Sequence, residues 1–165
     1  MQVTLRRATP ADMPMLLAWD ADPDVASSGA ARGLEGWQED LVRDVPWAEE
    51  LIAEVDGAPV GFMELIDAVG EETHYWGDDV EPGAWALDIW IGRPQDRGRG
   101  IGAAMMRVAL DRCFDTHGAS AVLLDPRRDN TRAHRFYERL GFRLIGARTF
   151  GDDDCLVYRL GRDER

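Results

Sequence analysis

Residues 97 to 102 read Arg97-Gly98-Arg99-Gly100-Ile101-Gly102. They run directly into a segment where Ile101, Ala104, Met105, Val108 and Phe114 recur at helical spacing until Gly118 supplies a stop. A glycine-rich turn that opens a helix points several backbone N–H groups at one spot and adds the positive end of the helix dipole. Such a turn makes an anion site suited to a pyrophosphate. Arg97 and Arg99 add positive charge beside it.

The rest of the chain supplies the frame for that turn. Gln2 to Arg7 alternates as a strand, and Thr9-Pro10-Ala11-Asp12 gives an N-cap, a proline at the first helical position and an acid three residues after the cap. A helix is therefore predicted to about Trp19. The stretch 20–33 reads as loop, and Leu34 to about Val45 as a second short helix. Glu49 to Val55, Asp56-Gly57 and Pro59 to Ile66 form a strand, a hairpin turn and a strand. The stretch 67–83 lacks periodicity and carries six acids with Tyr75 and Trp76, which predicts a long surface loop of the functional kind. Ala84 to Ile91 is an apolar run with Trp85 and Trp90, predicted as a central strand buried on both faces and interrupted by one charge, Asp88. After the glycine turn and its helix come a short strand, Ala121 to Leu124, and a helix, Asn130 to Leu140. A last hairpin follows, Phe142 to Phe150 and Cys155 to Leu160. The expected fold is α+β: a mixed, largely antiparallel sheet of about seven strands flanked by four helices, in one domain over residues 1–165.

Charge divides the chain. Residues 1–88 hold 20 acids and 4 arginines, net −16, while residues 89–165 carry net +4. That asymmetry predicts an arginine-rich surface for phosphates and an acidic one for a cationic partner, and it disfavours nucleic acid. All 19 basic residues are arginine, so neither a phosphate-loop lysine nor a Schiff-base lysine is available. Cys113 and Cys155 lack metal-ligand spacing and read as reduced structural residues, so no metal is expected. No apolar run reaches the ~18 to 20 residues of a membrane span, and Met1-Gln2-Val3 leads into a strand pattern rather than a signal segment. A cytoplasmic protein, monomeric or homodimeric, is the expectation.

Taken alone, Gly98-Arg99-Gly100-Ile101-Gly102-Ala103 also fits the Gly-x-Gly-x-x-Ala turn of a dinucleotide fold, with Asp125 placed to meet a ribose. Two features oppose that reading: six residues separate the strand from the turn, and one crossover helix follows it where a βαβ series needs several. A second motif weighs further. Beginning 28 residues past Gly102, the chain reads Asn130-Thr131-Arg132-Ala133-His134-Arg135-Phe136-Tyr137-Glu138-Arg139-Leu140-Gly141-Phe142. The spacing of seven between Asn130 and Tyr137 puts both on one face of a helix.

With Arg97, Gly100 and Gly102 matching a Gln/Arg-x-x-Gly-x-Gly/Ala turn, these segments resemble the acyl-CoA-binding half of the GNAT superfamily of N-acetyltransferases. The resemblance implies acetyl-CoA as cofactor, held by Arg97, Gly98, Arg99, Gly100, Ile101 and Gly102, by Ile89, Trp90 and Ile91 at the strand end, and by Asn130, Ala133 and Phe136. It gives Tyr137 the task of protonating the departing thiolate. Thiols and phenols ordinarily titrate near ~8.5 and ~10, so that transfer is uphill by roughly 2 kcal/mol.

Within the superfamily, Pro82-Gly83 through Asp88, then Asp125-Pro126, look like the aminoglycoside 6′-N-acetyltransferases. That likeness implies Asp88 as the group that meets the reacting amine. It also implies Tyr75, Trp76, Asp125 and Asp153, or Asp152 or Asp154 beside it, as further contacts to a small cationic acceptor. An aspartate near pKa ~4 taking a proton from an ammonium near ~9 to 10 is uphill by roughly 7 kcal/mol, so Asp88 either orients the amine or needs help as a base. The chain departs from that family after its first helix, where Ser27-Ser28-Gly29-Ala30 stands in place of a tryptophan pair. Siderophore precursors or other small amines are therefore alternative acceptors, and a non-catalytic acyl-CoA sensor is the alternative of another class. No cysteine adjoins either motif in sequence, which favours direct attack in a ternary complex.

Overall fold

The computed structural model describes residues Met1–Arg165. Twelve main elements follow one another: β1 (Val3–Arg7), α1 (Met13–Asp20), α2 (Pro23–Ser27), α3 (Gly33–Asp40), β2 (Ala48–Val55), β3 (Ala58–Asp67), β4 (Trp85–Ile91), α4 (Ile101–Asp111), β5 (Ala121–Leu124), α5 (Thr131–Arg139), β6 (Arg143–Phe150) and β7 (Asp153–Gly161). The seven strands are ordered β1-β2-β3-β4-β5-β7-β6. β4 and β5 run parallel with Trp85 opposite Val122 and Ala86 opposite Leu123, while β1/β2, β5/β7 and β6/β7 are antiparallel. A parallel pair needs a crossover, and α4 supplies it. No helix is long and apolar enough to cross a membrane.

The sheet matches the expected strand count, and five α-helices replace the expected four. The extra one, α2, lies inside the stretch read as loop: Pro23 starts it, and the Asp22 side chain accepts from the N–H groups of Asp24 and Val25. The helix predicted to end at Gly118 instead finishes in a π-helical turn, Arg112–Thr116, with Gly118 at φ 67° beyond it. The β2–β3 turn is as predicted, with both Asp56 (φ 52°) and Gly57 (φ 76°) in the left-handed region that a two-residue hairpin turn demands.

The chain forms two compact units, each discontinuous in sequence. The first comprises Met1–Leu65 and Asp88–Ala109, with a core of Leu16, Trp19, Trp37, Ile52, Phe62 and Trp90 among its buried members. The second comprises Ile66–Leu87 and Leu110–Arg165, built around Trp76, Ala86, Leu123, Phe150, Cys155 and Val157.

Candidate active site

In the first unit, Gly92 leaves β4 with its backbone packed on the Trp19 ring; a Cβ there would lie 2.0 Å from that ring. This close approach aims the following segment, a 3-10 turn at Pro94–Asp96 and then the glycines. Asp96 is buried and accepts from Arg93 at 2.7 Å and Arg99 at 3.3 Å. Gly98 (φ 72°) and Gly100 (φ 81°) have left-handed backbones, and α4 starts immediately after them. The first N–H groups of a helix have no intrahelical acceptor, so this turn has the donor set an anion needs. The Arg97 guanidinium takes no part in it. Its N–H groups donate to Asp24 and Asp22, each at 2.7 Å, so it closes the first unit on itself rather than adding free positive charge to the turn. Arg99 is the exposed arginine at the turn.

The expectation for β4 needs correction. Asp88 is exposed, not buried on two faces, so it carries no large desolvation cost. It lines a cavity of about 280 Å³ with Gly29, Ala30, Arg32, Asp40, Arg43, Glu64 and Trp90. Among the acids around this cavity, Glu64 on β3 and Glu50 on β2 are the buried ones, with side chains 10% and 6% exposed. Burial pushes Glu64 above the usual carboxylate range; Arg32 opposes that, while Asp88 and Asp40 reinforce it. Glu50 is likewise raised, first by burial and then by Glu64.

Arg32 holds this group together. It flanks the start of α3, where Asp20 accepts from the backbone N–H groups of Arg32 (3.1 Å) and Gly33 (2.8 Å) and from the Trp37 indole (2.8 Å). Its guanidinium donates to Asp40 at 2.5 Å and to Glu64, and lies 4.8, 5.1 and 6.0 Å from the ring centroids of Trp37, Phe62 and Trp90. Arg43 donates to Glu50 at 2.7 Å and pairs with Asp40 at 3.3 Å. Sequence reasoning assigned Arg32, Asp40, Arg43, Glu50 and Glu64 no role. An acid inside the apolar strand Val60 to Leu65 was the available signal, of the same kind that drew attention to Asp88.

In the second unit Tyr75, Trp76, Asp125 and Asp153 lie near one another, while Asp88 belongs to the first unit. Tyr75 stacks on Phe150 with ring centroids 4.4 Å apart, Trp76 packs edge-on to both, and the Tyr75 hydroxyl donates to Asp125. Arg148 lies over Phe150 at 4.8 Å and donates to the Trp76 carbonyl at 2.7 Å. Burial pushes Asp125 up to about 6; the Tyr75 hydrogen bond opposes this and nearby Asp153 adds to it. Asp153 pairs with Arg127 at 3.6 Å, and Asp154 is held by Arg128 at 2.8 Å, so Asp153 is the hairpin acid associated with Asp125. Cys155 is distant in sequence from both motifs yet near these acids. Burial first, then Asp125 and Asp153, push its thiol up to about 11, which keeps it protonated and a poor nucleophile.

Several acids of the loop between β3 and β4 have structural work. The Asp67 carboxylate accepts from the N–H groups of Val69 and Gly70. Glu71 is buried, which alone would raise it, but bonds from Thr73 and Tyr75 hold it below its ordinary value. Arg159 lowers Glu81.

Asn130 is not two turns from Tyr137 within one helix; it is the N-cap of α5, and its side-chain oxygen accepts from the Ala133 N–H at 3.2 Å. Tyr137 is buried among Phe136, Phe142 and Tyr158, with ring centroids 5.4, 6.0 and 6.3 Å away.

The acetyltransferase (GNAT) domain family matches residues 8–150, most of the chain. The chain belongs to that family. It is 28% identical over 157 residues to aminoglycoside N(6′)-acetyltransferase type 1 of Klebsiella pneumoniae, covering 91% of this chain and 78% of that enzyme. The crystal structure of aminoglycoside acetyltransferase AAC(6′)-Ib in complex with coenzyme A and kanamycin superposes with a TM-score of 0.89 at 26% identity, covering 99% of this chain and 96% of that one. The AAC(6′)-Ib structure with coenzyme A alone gives 0.88 at 27% identity. This GNAT protein therefore has the fold and the family of an N-acetyltransferase, and the dinucleotide alternative falls.

Proposed function

We propose that residues 1–165 form one acetyltransferase domain that moves acetyl from acetyl-CoA to a primary amine of a small cationic acceptor of the aminoglycoside class, by direct attack in a ternary complex. The observation that carries the reading is an exposed carboxylate, Asp88, at the wall of a small polar cavity on the strand that leads into a glycine turn opening α4. The turn residues Gly98 to Gly102, with Arg99, would hold the pyrophosphate. Ile89, Trp90, Ile91, Asn130, Ala133 and Phe136 would hold the rest of the coenzyme. When bound, acetyl-CoA supplies an activated thioester.

The chain's own residues do the remaining work. Asp88 binds and orients the acceptor ammonium; once its proton has passed to water, the free amine attacks the thioester carbon, and the nitrogen sheds its second proton as the C–S bond breaks. The Tyr137 phenol gives a proton to the leaving sulfur. Asp125 and Asp153, with Tyr75 and Trp76, receive other positive charges and apolar faces of the acceptor. Relatives that bind kanamycin beside coenzyme A support this choice of acceptor. The reading is of a cytoplasmic monomer or homodimer.

Thiol release from acetyl-CoA, measured with kanamycin-like acceptors, tests the reading. Asp88→Asn is expected to lower kcat/KM about a hundredfold while leaving coenzyme A affinity within about twofold. Gly100→Asp, which aims a carboxylate at the pyrophosphate, is expected to weaken coenzyme A binding more than about tenfold by calorimetry. Coenzyme A binding with no turnover on any amine, unchanged by Asp88→Asn, would leave an acyl-CoA sensor instead.

A further inference from the structure

The cavity beside Asp88 draws its lining from distant parts of the first unit. Asp88 and Trp90 come from β4, and Gly29 and Ala30 from the segment that follows α2. That segment has little of its own to hold it in place. α2 has five residues, too few for a helix to persist without outside contacts, and Val25 is its one buried residue. Beyond it the Ser28 hydroxyl donates back to the Val25 carbonyl at 2.7 Å, and Gly29 turns the chain away at φ 81°.

The outside contact is Arg97. One guanidinium nitrogen donates to Asp24 and another to Asp22, each at 2.7 Å, and the second also reaches the Ile91 carbonyl at 3.4 Å. The side chains of Arg97 and Asp22 are 14% and 12% exposed, so water competes poorly for these bonds. The Asp22 oxygen that accepts from Arg97 is the one that caps α2, where it meets the N–H groups of Asp24 and Val25 at 3.0 and 3.4 Å. Ile91 is the last residue of β4, the strand of Asp88. A single planar fork therefore ties the start of α2 to the end of that strand, a task for which a guanidinium is suited and an ammonium is not. Asp20 fixes the far end of the segment by accepting from the backbone N–H groups of Arg32 and Gly33.

We infer that Arg97 is a positioning residue for the acceptor: it holds α2 against the end of β4 and thereby sets where Gly29 and Ala30 stand in the lining of the Asp88 cavity. The inference rests on the acetyl-transfer reading above and adds to it a residue that touches neither substrate. Arg97 opens the glycine turn, so its position alone predicts a defect in coenzyme binding when it is replaced. In this division of labour the backbone of the turn serves the coenzyme, and the Arg97 side chain serves the acceptor.

Thiol release with kanamycin as acceptor, together with calorimetric titration of coenzyme A, tests this. Arg97→Met is expected to raise KM for kanamycin about tenfold, with kcat and coenzyme A affinity each changed less than about threefold. Charge alone predicts the opposite sign, because removing a cation from the neighbourhood of a cation site lowers KM. Asp22→Asn with Asp24→Asn should reproduce the rise, and adding Arg97→Met to that pair should give no further rise, since all three break the same contact. Amide hydrogen exchange over residues 23–30 should be faster in Arg97→Met, with exchange over residues 98–108 unchanged.

A coenzyme A affinity that falls more than about tenfold while KM for kanamycin stays put makes Arg97 a coenzyme residue and overturns the inference. Additive effects of the Arg97 and Asp22/Asp24 substitutions overturn it as well. If Arg97→Met does not fold, Asp24→Asn, which leaves the Asp22 cap in place, is expected to raise KM about threefold at about 500 mM salt, where long-range charge is screened, and an unchanged KM refutes the strap. Should the wild type acetylate no amine at all, the acetyl-transfer reading fails. Amide exchange then decides the strap alone: unaltered exchange over residues 23–30 in Arg97→Met overturns it, and faster exchange confined to them upholds it.

Discussion

Glu64 in the first unit and Asp125 in the second are both carboxylates withdrawn from water, and burial raises the proton affinity of each. Their partners differ. Glu64 faces the guanidiniums of Arg32 and Arg43, stacked on or near indoles, whereas Asp125 accepts from the phenol of Tyr75 and has Asp153 nearby. A guanidinium supplies a full opposite charge and two donors in a fixed plane, while a phenol supplies one neutral donor. The first cluster is therefore a permanent frame whose charges hold one another. The second is a titrating group, pushed up to about 6, that still ionises at neutral pH and is free to answer an incoming ammonium.

The largest effect that would break this contrast is on stability. Glu64→Gln leaves Arg32 buried with Asp40 as its close partner, and is expected to destabilise the protein by about 2 kcal/mol, below the ~3 to 5 kcal/mol of an ion pair lost outright. Urea unfolding measures it. A loss under about 0.5 kcal/mol would mean that the Arg32 network is not a frame.

Asp125→Asn comes next. Removing a responsive charge should raise KM for a polycationic acceptor about fivefold with a smaller change in kcat, and the difference from wild type should shrink between about 50 and 500 mM salt as screening shortens. For the wild type, KM is expected to rise as pH falls through about 6, because protonated Asp125 no longer attracts an ammonium. Asp125→Asn should lack that limb.

The folded-state value also sets the sign of a stability effect. The folded protein holds this proton more tightly than the unfolded chain, so the contribution is greatest below about pH 4, falls as pH rises toward 6, and is gone above it. Asp125→Asn is accordingly expected to raise Tm slightly at pH 8, by roughly 2 °C, and to leave it unchanged at pH 4. A lower Tm at pH 8 would show that ionised Asp125 stabilises the unit.

Smaller still is Tyr75→Phe. The hydroxyl bond holds Asp125 lower than burial alone would, so its loss should move the KM limb upward in pH, a shift that steady-state kinetics across pH 5 to 8 resolves. An unmoved limb would break the link between the phenol and the carboxylate. Asp153→Asn, at a half-exposed acid already paired with Arg127, should change KM about twofold or less.

Much of this arrangement was legible beforehand, for reasons that act over a few residues. Asp56-Gly57 dictates a left-handed two-residue turn wherever two strands flank it, and Gly98 and Gly100 dictate one ahead of α4. Pro23 after Asp22 carried the same kind of signal for α2, and the loop composition around it concealed a short helix. The pairing of Tyr75-Trp76 with Asp125 was legible through family resemblance; their stacking on Phe150 was not, because seventy-odd residues separate ring from ring.

Charge placement was the least legible part. The chain by itself determined the strand and turn order, the glycine turn and the acid-rich first half, since each follows from backbone sterics or from composition, while the capping place of Asn130 at α5 came from the fold. Tertiary structure decided that of the two acids in the apolar central strands Glu64 is buried and Asp88 is exposed, and which arginine is available at the turn, Arg99 and not Arg97. With 19 arginines and 31 acids, almost any pairing is allowed by charge alone. An ion pair is chosen by which side chains the folded backbone brings within about 4 Å, and Arg97 meets Asp22 and Asp24 from more than seventy residues away.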